Sequence, residues 1–366
     1  MDTPERSVIG GTQANATAQH ASDEHAAEVD GGLSWLDLAT TDAEDAADVQ
    51  RRWMPTEYDQ VDCGAFAGRF QQLSFQDTLV AAERQNRTVL KRLHFPPDYC
   101  SVSFVRSVSG RARCDLEAIS QGTVAYLPAN NEYEVLLPPS EIAYFRIRQD
   151  RFLQAADTLG YGLPGDGFQA LMFDSIHAND LNDMLETLMS IRHSPDSSQP
   201  ESSQPESSQP EALNHEYLEK VVLERTLGIL SNSTAKSFQM PLGSGYRITQ
   251  AAQALIESRP DEPLTVMTLC QGLGVSRASL QRCFLQIHGV APLAYLRMRR
   301  LNCARRALKV ARGTSATVTA IAMHWGFFHF ARFAQDYFHQ FGELPSATLG
   351  RSGRTKSEPG QSRLQR

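Results

Sequence analysis

Residues 317–342 read TVTAIAMHWGFFHFARFAQDYFHQFG, and residues 265–289 read TVMTLCQGLGVSRASLQRCFLQIHG. Laid over one another at a shift of 52, Thr265 meets Thr317, Val266 meets Val318, Leu269 meets Ile321, Cys270 meets Ala322 and Gly274 meets Gly326. One extra residue then enters the second copy. At a shift of 53, Leu280 meets Phe333, Phe284 meets Tyr337, Gly289 meets Gly342 and Pro292 meets Pro345. Each copy encodes two short helices around a turn. Val266, Leu269, Cys270 and Leu273 recur at the spacing of one helical face, and Val318, Ile321, Ala322 and Trp325 repeat the set. Gly274 and Gly326 supply the positive φ that stops a helix. Val275 or Phe327 plugs the turn into the core. Ser276 caps the next helix, which buries Leu280, Phe284 and Ile287. Such a pair is a helix-turn-helix, whose second helix enters the major groove of DNA.

The exposed positions of the two second helices are the candidate readers. They are Arg277, Ala278, Gln281 and Arg282 in the first unit, and His329, Ala331, Arg332 and Gln335 in the second. Arg bonds guanine in a bidentate manner and Gln does so with adenine. Between the units, Leu293, Leu296, Leu301, Ala304 and Leu308 mark one long helix carrying Arg297, Arg299, Arg300, Arg305, Arg306 and Lys309. A rigid helix there holds the readers at fixed spacing, about one DNA turn (~34 Å). Its arginines are expected on phosphates or in helix ion pairs, with Arg305 as the named phosphate contact.

Outward from this region the charge changes sign. The chain of 366 residues carries a net −7, but residues 246–366 hold 17 Lys and Arg against 6 Asp and Glu, while residues 1–245 hold 18 against 36. A basic end suits a polyanion, since Lys and Arg release counterions from phosphates. Residues 1–52, rich in Ala, Asp, Gly and Thr, read as an acidic disordered tail. Residues 53–230 read as a second domain. Within it Val102, Phe104 and Val108, then Ala143, Phe145 and Ile147, recur at even steps, the pattern of half-buried strands. Residues 60–150 therefore look like a mainly antiparallel β domain. Trp53, Phe66, Phe70, Phe104 and Tyr126 are read as core or as pocket lining. Leu181, Met184, Leu185 and Leu188 then mark a helix. Residues 195–211 are a low-complexity insertion with Ser-Ser-Gln-Pro-Glu in three successive copies over 197–211. Tyr217, Val221 and Ile229 lie on a helix expected against this domain or against a second subunit. Residues 231–245 read as a linker, 246–350 as the DNA-binding domain and 351–366 as a basic tail.

Enzyme chemistry finds little support. The strand region offers one histidine, His94, where a metal-dependent barrel needs two or three with a carboxylate. No Walker loop, GxSxG or helix-opening GxGxxG occurs. Cys63, Cys100, Cys114, Cys270, Cys283 and Cys303 form no CxxC pair and read as reduced thiols. No metal or cofactor is expected, nor is an apolar run long enough to span a bilayer or a secretory signal. The expected location is cytoplasmic.

Residues 246–350 resemble the DNA-binding domain of the AraC/XylS family of bacterial transcription regulators. Val318, Ile321-Ala322, Gly326-Phe327, Phe333, Tyr337, Phe341-Gly342 and Pro345 carry the resemblance. The stretches Trp325 to His329 and Pro345 to Leu349 are most similar to the ethanolamine-operon regulator branch. Tyr58-Asp59-Gln60 with Gly64, Phe66, Gly68 and Phe70 resembles the effector domain of that branch, whose ligands are not carried over. The resemblance implies an α+β chain: a β-rich, cupin-like sensor and dimerisation domain with flanking helices, then an all-α domain of seven helices with two helix-turn-helix units. It implies a reading role for Gln281 and Arg282, double-stranded DNA as partner, a homodimer, activation of transcription, RNA polymerase as a further partner and a small-molecule effector of unknown identity. The alternative is a nonspecific or architectural DNA binder with no effector.

Overall fold

The computed structural model describes residues 27–29, 33–75, 77–115, 117–161, 170–174, 178–191, 215–232, 234–237, 244–259, 262 and 264–350. Its N-terminal strands are β1 (Ala27–Val29), β2 (Leu33–Thr40), β3 (Thr56–Gln60), β4 (Gly68–Phe75), β5 (Thr78–Gln85), β6 (Val89–His94), β7 (Tyr99–Val108), β8 (Ala112–Cys114), β9 (Glu117–Ile119), β10 (Thr123–Leu127), β11 (Glu132–Leu137), β12 (Ser140–Arg148), β13 (Leu171–Asp174) and β14 (Thr234–Ser237). Four helices accompany them: α1 (Ala43–Arg51), α2 (Gln149–Leu159), α3 (Ala178–Ser190) and α4 (His215–Ser231). The C-terminal helices are α5 (Ser244–Glu257), α6 (Val266–Leu273), α7 (Arg277–His288), α8 (Pro292–Val310), α9 (Val318–His324), α10 (Phe330–Phe341) and α11 (Pro345–Gly350). A β-rich domain followed by an all-α domain is thus the observed architecture.

The strands form two antiparallel sheets, ordered β1-β2-β4-β5-β12-β7-β10-β13-β14 and β3-β6-β11-β8-β9. The even-step runs fall on β7 and β12, which pair with Ala143 opposite Phe104 and Phe145 opposite Val102. One face of the larger sheet is covered by α2, α3 and α4, where Phe145, Ile147, Phe152, Leu185 and Leu227 share a core. Val222, Leu223, Leu227 and Leu230 commit α4 to that core, and Tyr217 points outward. The sheets meet through a second core that includes Cys114, Tyr133 and Val135 from the small sheet and Ala125, Leu127 and Met172 from the large one.

Residues 33–51 correct an expectation. Their composition reads as a disordered tail, yet they form β2 and α1. Trp35 is buried in the main core. Asp42 caps α1 by accepting from the Glu44 amide at 2.9 Å, and Ala43, Ala46 and Ala47 bury a face of small side chains. The expected linker also contains structure: it holds the end of α4, and β14 pairs with β13. The insertion at 195–211 and the tail at 351–366 lie outside the described residues.

Candidate nucleic-acid interface

The first helix-turn-helix is α6 and α7. Thr265 Oγ1 accepts from the Thr268 amide at 3.1 Å and so starts α6. Gly274 ends it at φ +64, and the Val275 amide reaches back to the Cys270 carbonyl. Ser276 Oγ accepts from the Ser279 amide at 3.1 Å, capping α7. Leu280, Phe284 and Ile287 anchor the buried face of α7, and its C-cap Gly289 has φ +71. The second unit, α9 and α10, repeats the plan. Thr317 caps α9, Gly326 turns at φ +76 and the Phe327 amide reaches the Ala322 carbonyl. At the start of α10 the copies diverge, because His329 makes no side-chain capping bond.

Arg277, Ala278, Gln281 and Arg282 are all exposed at the N-terminal end of α7. His329, Ala331, Arg332 and Gln335 are exposed at the corresponding end of α10. Each set therefore shares one end of its helix and is open to solvent.

Helix α8 departs from its expectation. Arg305, expected against a phosphate, is 5% exposed. Its Nε lies 2.7 Å from Asp42, one terminal nitrogen 2.9 Å from Glu343 and the other 3.1 Å from the Tyr337 hydroxyl. Lys309 Nζ sits 2.6 Å from Asp45. Arg299 and Arg306 close on Asp59 at 2.8 and 3.0 Å, and Arg92 joins them at 3.2 Å. Burial alone raises the Asp59 pKa; the guanidiniums of Arg299, Arg306 and Arg92 outweigh it and hold the carboxyl far below the usual range. These basic side chains bind carboxylates of the N-terminal domain, so part of the basic excess is consumed within the chain. Leu293, one of the apolar residues that mark this helix in the sequence, is exposed.

Further bonds tie both units to the small sheet. Asn302 brackets the Gln60 backbone, donating to its carbonyl and accepting from its amide, both at 3.0 Å. Gln60 donates to the Gln340 carbonyl at 2.7 Å, and Gln340 returns a bond to the Gln60 carbonyl at 2.9 Å. Beside the first unit, Gln253 of α5 bonds Glu134, and Arg92 reaches the hydroxyl of Tyr295 on α8 at 3.0 Å. Burial pushes the His288 imidazole down to about 4, so it stays neutral beside Arg113, 3.2 Å away. Sequence reasoning missed this contact. Its signal was the acidic N-terminal half facing a basic helix, and charge counts alone do not say which anion a guanidinium meets.

The contact uses one side of the small sheet and leaves the other for a cavity. Along β3, Tyr58 lines the cavity and Asp59 faces α8. Along β6, Lys91 lines the cavity, while Leu90 and Arg92 face the helices. Val135 and Glu134 divide β11 in the same way, as Cys114 and Arg113 divide β8. This is the two-residue period of a strand. Of the aromatics that read as core or pocket lining, Trp53 and Phe104 reach the cavity; Phe66, Phe70 and Tyr126 are buried in cores.

A helix-turn-helix domain family matches residues 269–351. The probable thc operon regulatory protein of Rhodococcus erythropolis is 39% identical over 102 residues, 28% of this chain and 31% of that protein. XylDLEGF operon transcriptional activator 2 of Pseudomonas putida is 32% identical over 131 residues, 36% of this chain and 81% of that protein. The chain belongs to the AraC/XylS family of transcription regulators. The chain spans about a third of the length of the first relatives it matches (31% and 39%). The crystal structure of the AraC-like transcriptional activator CuxR is 14% identical, covers 73% of this chain and 94% of that one, and has a TM-score of 0.39. In this AraC/XylS chain no described helix is long and apolar enough to cross a membrane.

Proposed function

We propose that the chain is a sequence-specific, DNA-binding transcription activator that reads two neighbouring promoter boxes with α7 and α10 under control of its N-terminal sensor domain. The observation that carries this reading is the pair of exposed sets, Arg277 to Arg282 and His329 to Gln335, each at the start of a helix whose other side is buried. Arg277, Gln281, Arg282, Arg332 and Gln335 are the groups that reach base edges, and His329, Ala278 and Ala331 pack beside them. Arg305 serves instead as a strut between the domains. The activating sign is supported by the names of the Pseudomonas putida relatives, which are operon transcriptional activators. The family resemblance supports a homodimer working in the cytoplasm, with RNA polymerase as the partner at the promoter. Placement in the ethanolamine-operon branch rests on the Trp325 to His329 and Pro345 to Leu349 stretches and on Tyr58-Asp59-Gln60 with Gly64, Phe66, Gly68 and Phe70.

Control runs through the small sheet. A ligand in the cavity touches Tyr58, Lys91, Val135 and Cys114; their neighbours Asp59, Arg92, Glu134 and Arg113 hold the DNA-binding helices. A ligand shifts the equilibrium by its differential affinity for the two arrangements. The test is selection of bound sequences from random duplex DNA by the full chain at near-physiological salt. Two enriched boxes about one turn (~34 Å) apart are expected. Binding without enrichment that vanishes as salt rises points to backbone contacts only, the architectural alternative.

A further inference from the structure

The cavity between the sheets has a volume of about 80 Å³. That is about half of an engineered cavity of ~150 Å³ that admits benzene, so it suits a molecule of a few heavy atoms. Met54, Phe95, Ile119, Leu127 and Met172 make most of its wall apolar. The polar lining is Ser101, Ser103 and Thr123, whose hydroxyls have partners, and a cluster of Gln50, Tyr58, Lys91 and Tyr144 whose charge is already balanced. Lys91 Nζ lies 2.8 Å from Glu83 Oε2, and both side chains are 2% exposed. The same oxygen accepts from the Tyr58 hydroxyl at 3.1 Å and from Gln50 Nε2 at 3.2 Å. Gln50 Nε2 also reaches the Tyr144 hydroxyl at 3.0 Å. The carboxylate demands the amide nitrogen on its side, which turns Gln50 Oε1 away as an unused acceptor. The Lys91 ammonium has three donors and, among the described residues, no partner besides Glu83 and the Tyr58 ring, 4.4 Å away. Trp53 Nε1, on another cavity-lining residue, has no acceptor among the described residues.

We propose that this cavity takes a small, uncharged, mainly apolar molecule whose single polar group both accepts and donates, a primary amide or an alcohol, and that it rejects carboxylates. The proposal rests on the sensor reading above and names the ligand class of that domain. An amide offers its carbonyl to Lys91 and its N–H to Gln50 Oε1, filling both vacancies with one group. A carboxylate offers Lys91 a second anion while Glu83 stays in place. The pair then carries a net negative charge inside an apolar wall, and Gln50 Oε1 meets another acceptor. A cation has the opposite defect at Lys91.

Butyramide, 1-butanol and sodium butyrate separate these cases, since their chains are alike and their polar ends are not. Affinities on the order of millimolar are expected for so few atoms. Ligand-detected NMR titration of the full chain at neutral pH is expected to show butyramide binding at least tenfold tighter than butyrate. Glu83→Gln keeps the volume and removes the charge that balances Lys91, so it is expected to reverse that order. Ala125→Leu fills the cavity from β10 and is expected to abolish butyramide binding; it also serves if Glu83→Gln does not fold. Butyrate binding as tightly as butyramide to the natural chain, an order unchanged in Glu83→Gln, butyramide retained by Ala125→Leu, or no binding of either uncharged molecule each overturns the proposal. The DNA selection is read separately. A chain that selects two boxes but prefers butyrate loses only the ligand class, and one that binds butyramide but selects no DNA loses only the regulator reading.

Discussion

The two helix-turn-helix units share a turn and differ at both ends of the helix that follows it. Helix α7 starts on the capping Ser276 and presents Arg277, Gln281 and Arg282. Helix α10 starts uncapped at His329 between Phe328 and Phe330, both exposed. At the far end, a Cβ added at Gly289 meets nothing within 4 Å, whereas one at Gly342 lies 2.9 Å from Ala65 of the N-terminal domain. The duplication has thus produced one unit with a polar, well-formed entrance and another with an aromatic entrance that leans on its neighbour domain. The lesson is that equal spacing in sequence does not make equal tenants: the second unit carries an interdomain duty that the first performs through other residues.

The largest expected effect falls on what the units have in common. Asp59→Asn leaves Arg92, Arg299 and Arg306 buried around a neutral group, and a loss of ~3–5 kcal/mol in urea unfolding of the full chain is expected. A change below about 1 kcal/mol, the scale of an exposed pair, removes Asp59 as the hub. The folded Asp59 pKa is depressed, so its contribution is complete above the ordinary aspartate value of ~3.9 and is lost as pH falls below it. Stability measured from pH 7 downward should therefore flatten in Asp59→Asn relative to the natural chain.

The next test separates the units directly. Both C-cap glycines are left-handed, at φ +71 and +73. Gly289→Ala is expected to cost only that backbone strain, ~1–2 kcal/mol. Gly342→Ala adds the collision with Ala65, a further ~1–3 kcal/mol, read as a lower thermal midpoint. Equal costs would mean that the second unit does not lean on the N-terminal domain. Binding gives the third comparison. Arg282→Ala should cost ~1–3 kcal/mol on a selected site and relax one position of the first box, with Arg332→Ala acting on the second box instead. Anisotropy titration against sites altered in one box at a time reads the assignment, and crossed effects would exchange the two units on DNA. The smallest effect is at the entrances: Ser276→Ala should lose ~1 kcal/mol of stability and His329→Ala no more than ~0.5 kcal/mol, since only the first removes a capping bond.

The units were legible because their signals are local. Gly274 and Gly326 stop helices wherever they stand, and the apolar residues on either side follow one helical period. The strands β7 and β12 were legible for the same reason. Helix α1 was not, because Ala43, Ala46 and Ala47 bury a face with the residue type that also fills acidic tails. Its one local mark was Asp42, placed to cap. The contacts of α8 were illegible on principle: Arg299, Arg305 and Arg306 have a helical spacing that fits phosphate and carboxylate equally, and only the fold brings Asp59 and Asp42 to them.

The alternation in the small sheet limits how this chain can change. Tyr58 and Asp59 are adjacent, as are Lys91 and Arg92, and each pair divides its loyalties between cavity and helices. Deleting one residue from β3 or β6 would turn every later side chain of that strand over, driving a carboxylate or a guanidinium into the apolar wall and a ring or an ammonium into the joint. Deleting two would shorten the strand and keep its faces. Inherited gaps in these strands should therefore come in even numbers, a parity rule written by the pleat and readable in any set of descendants.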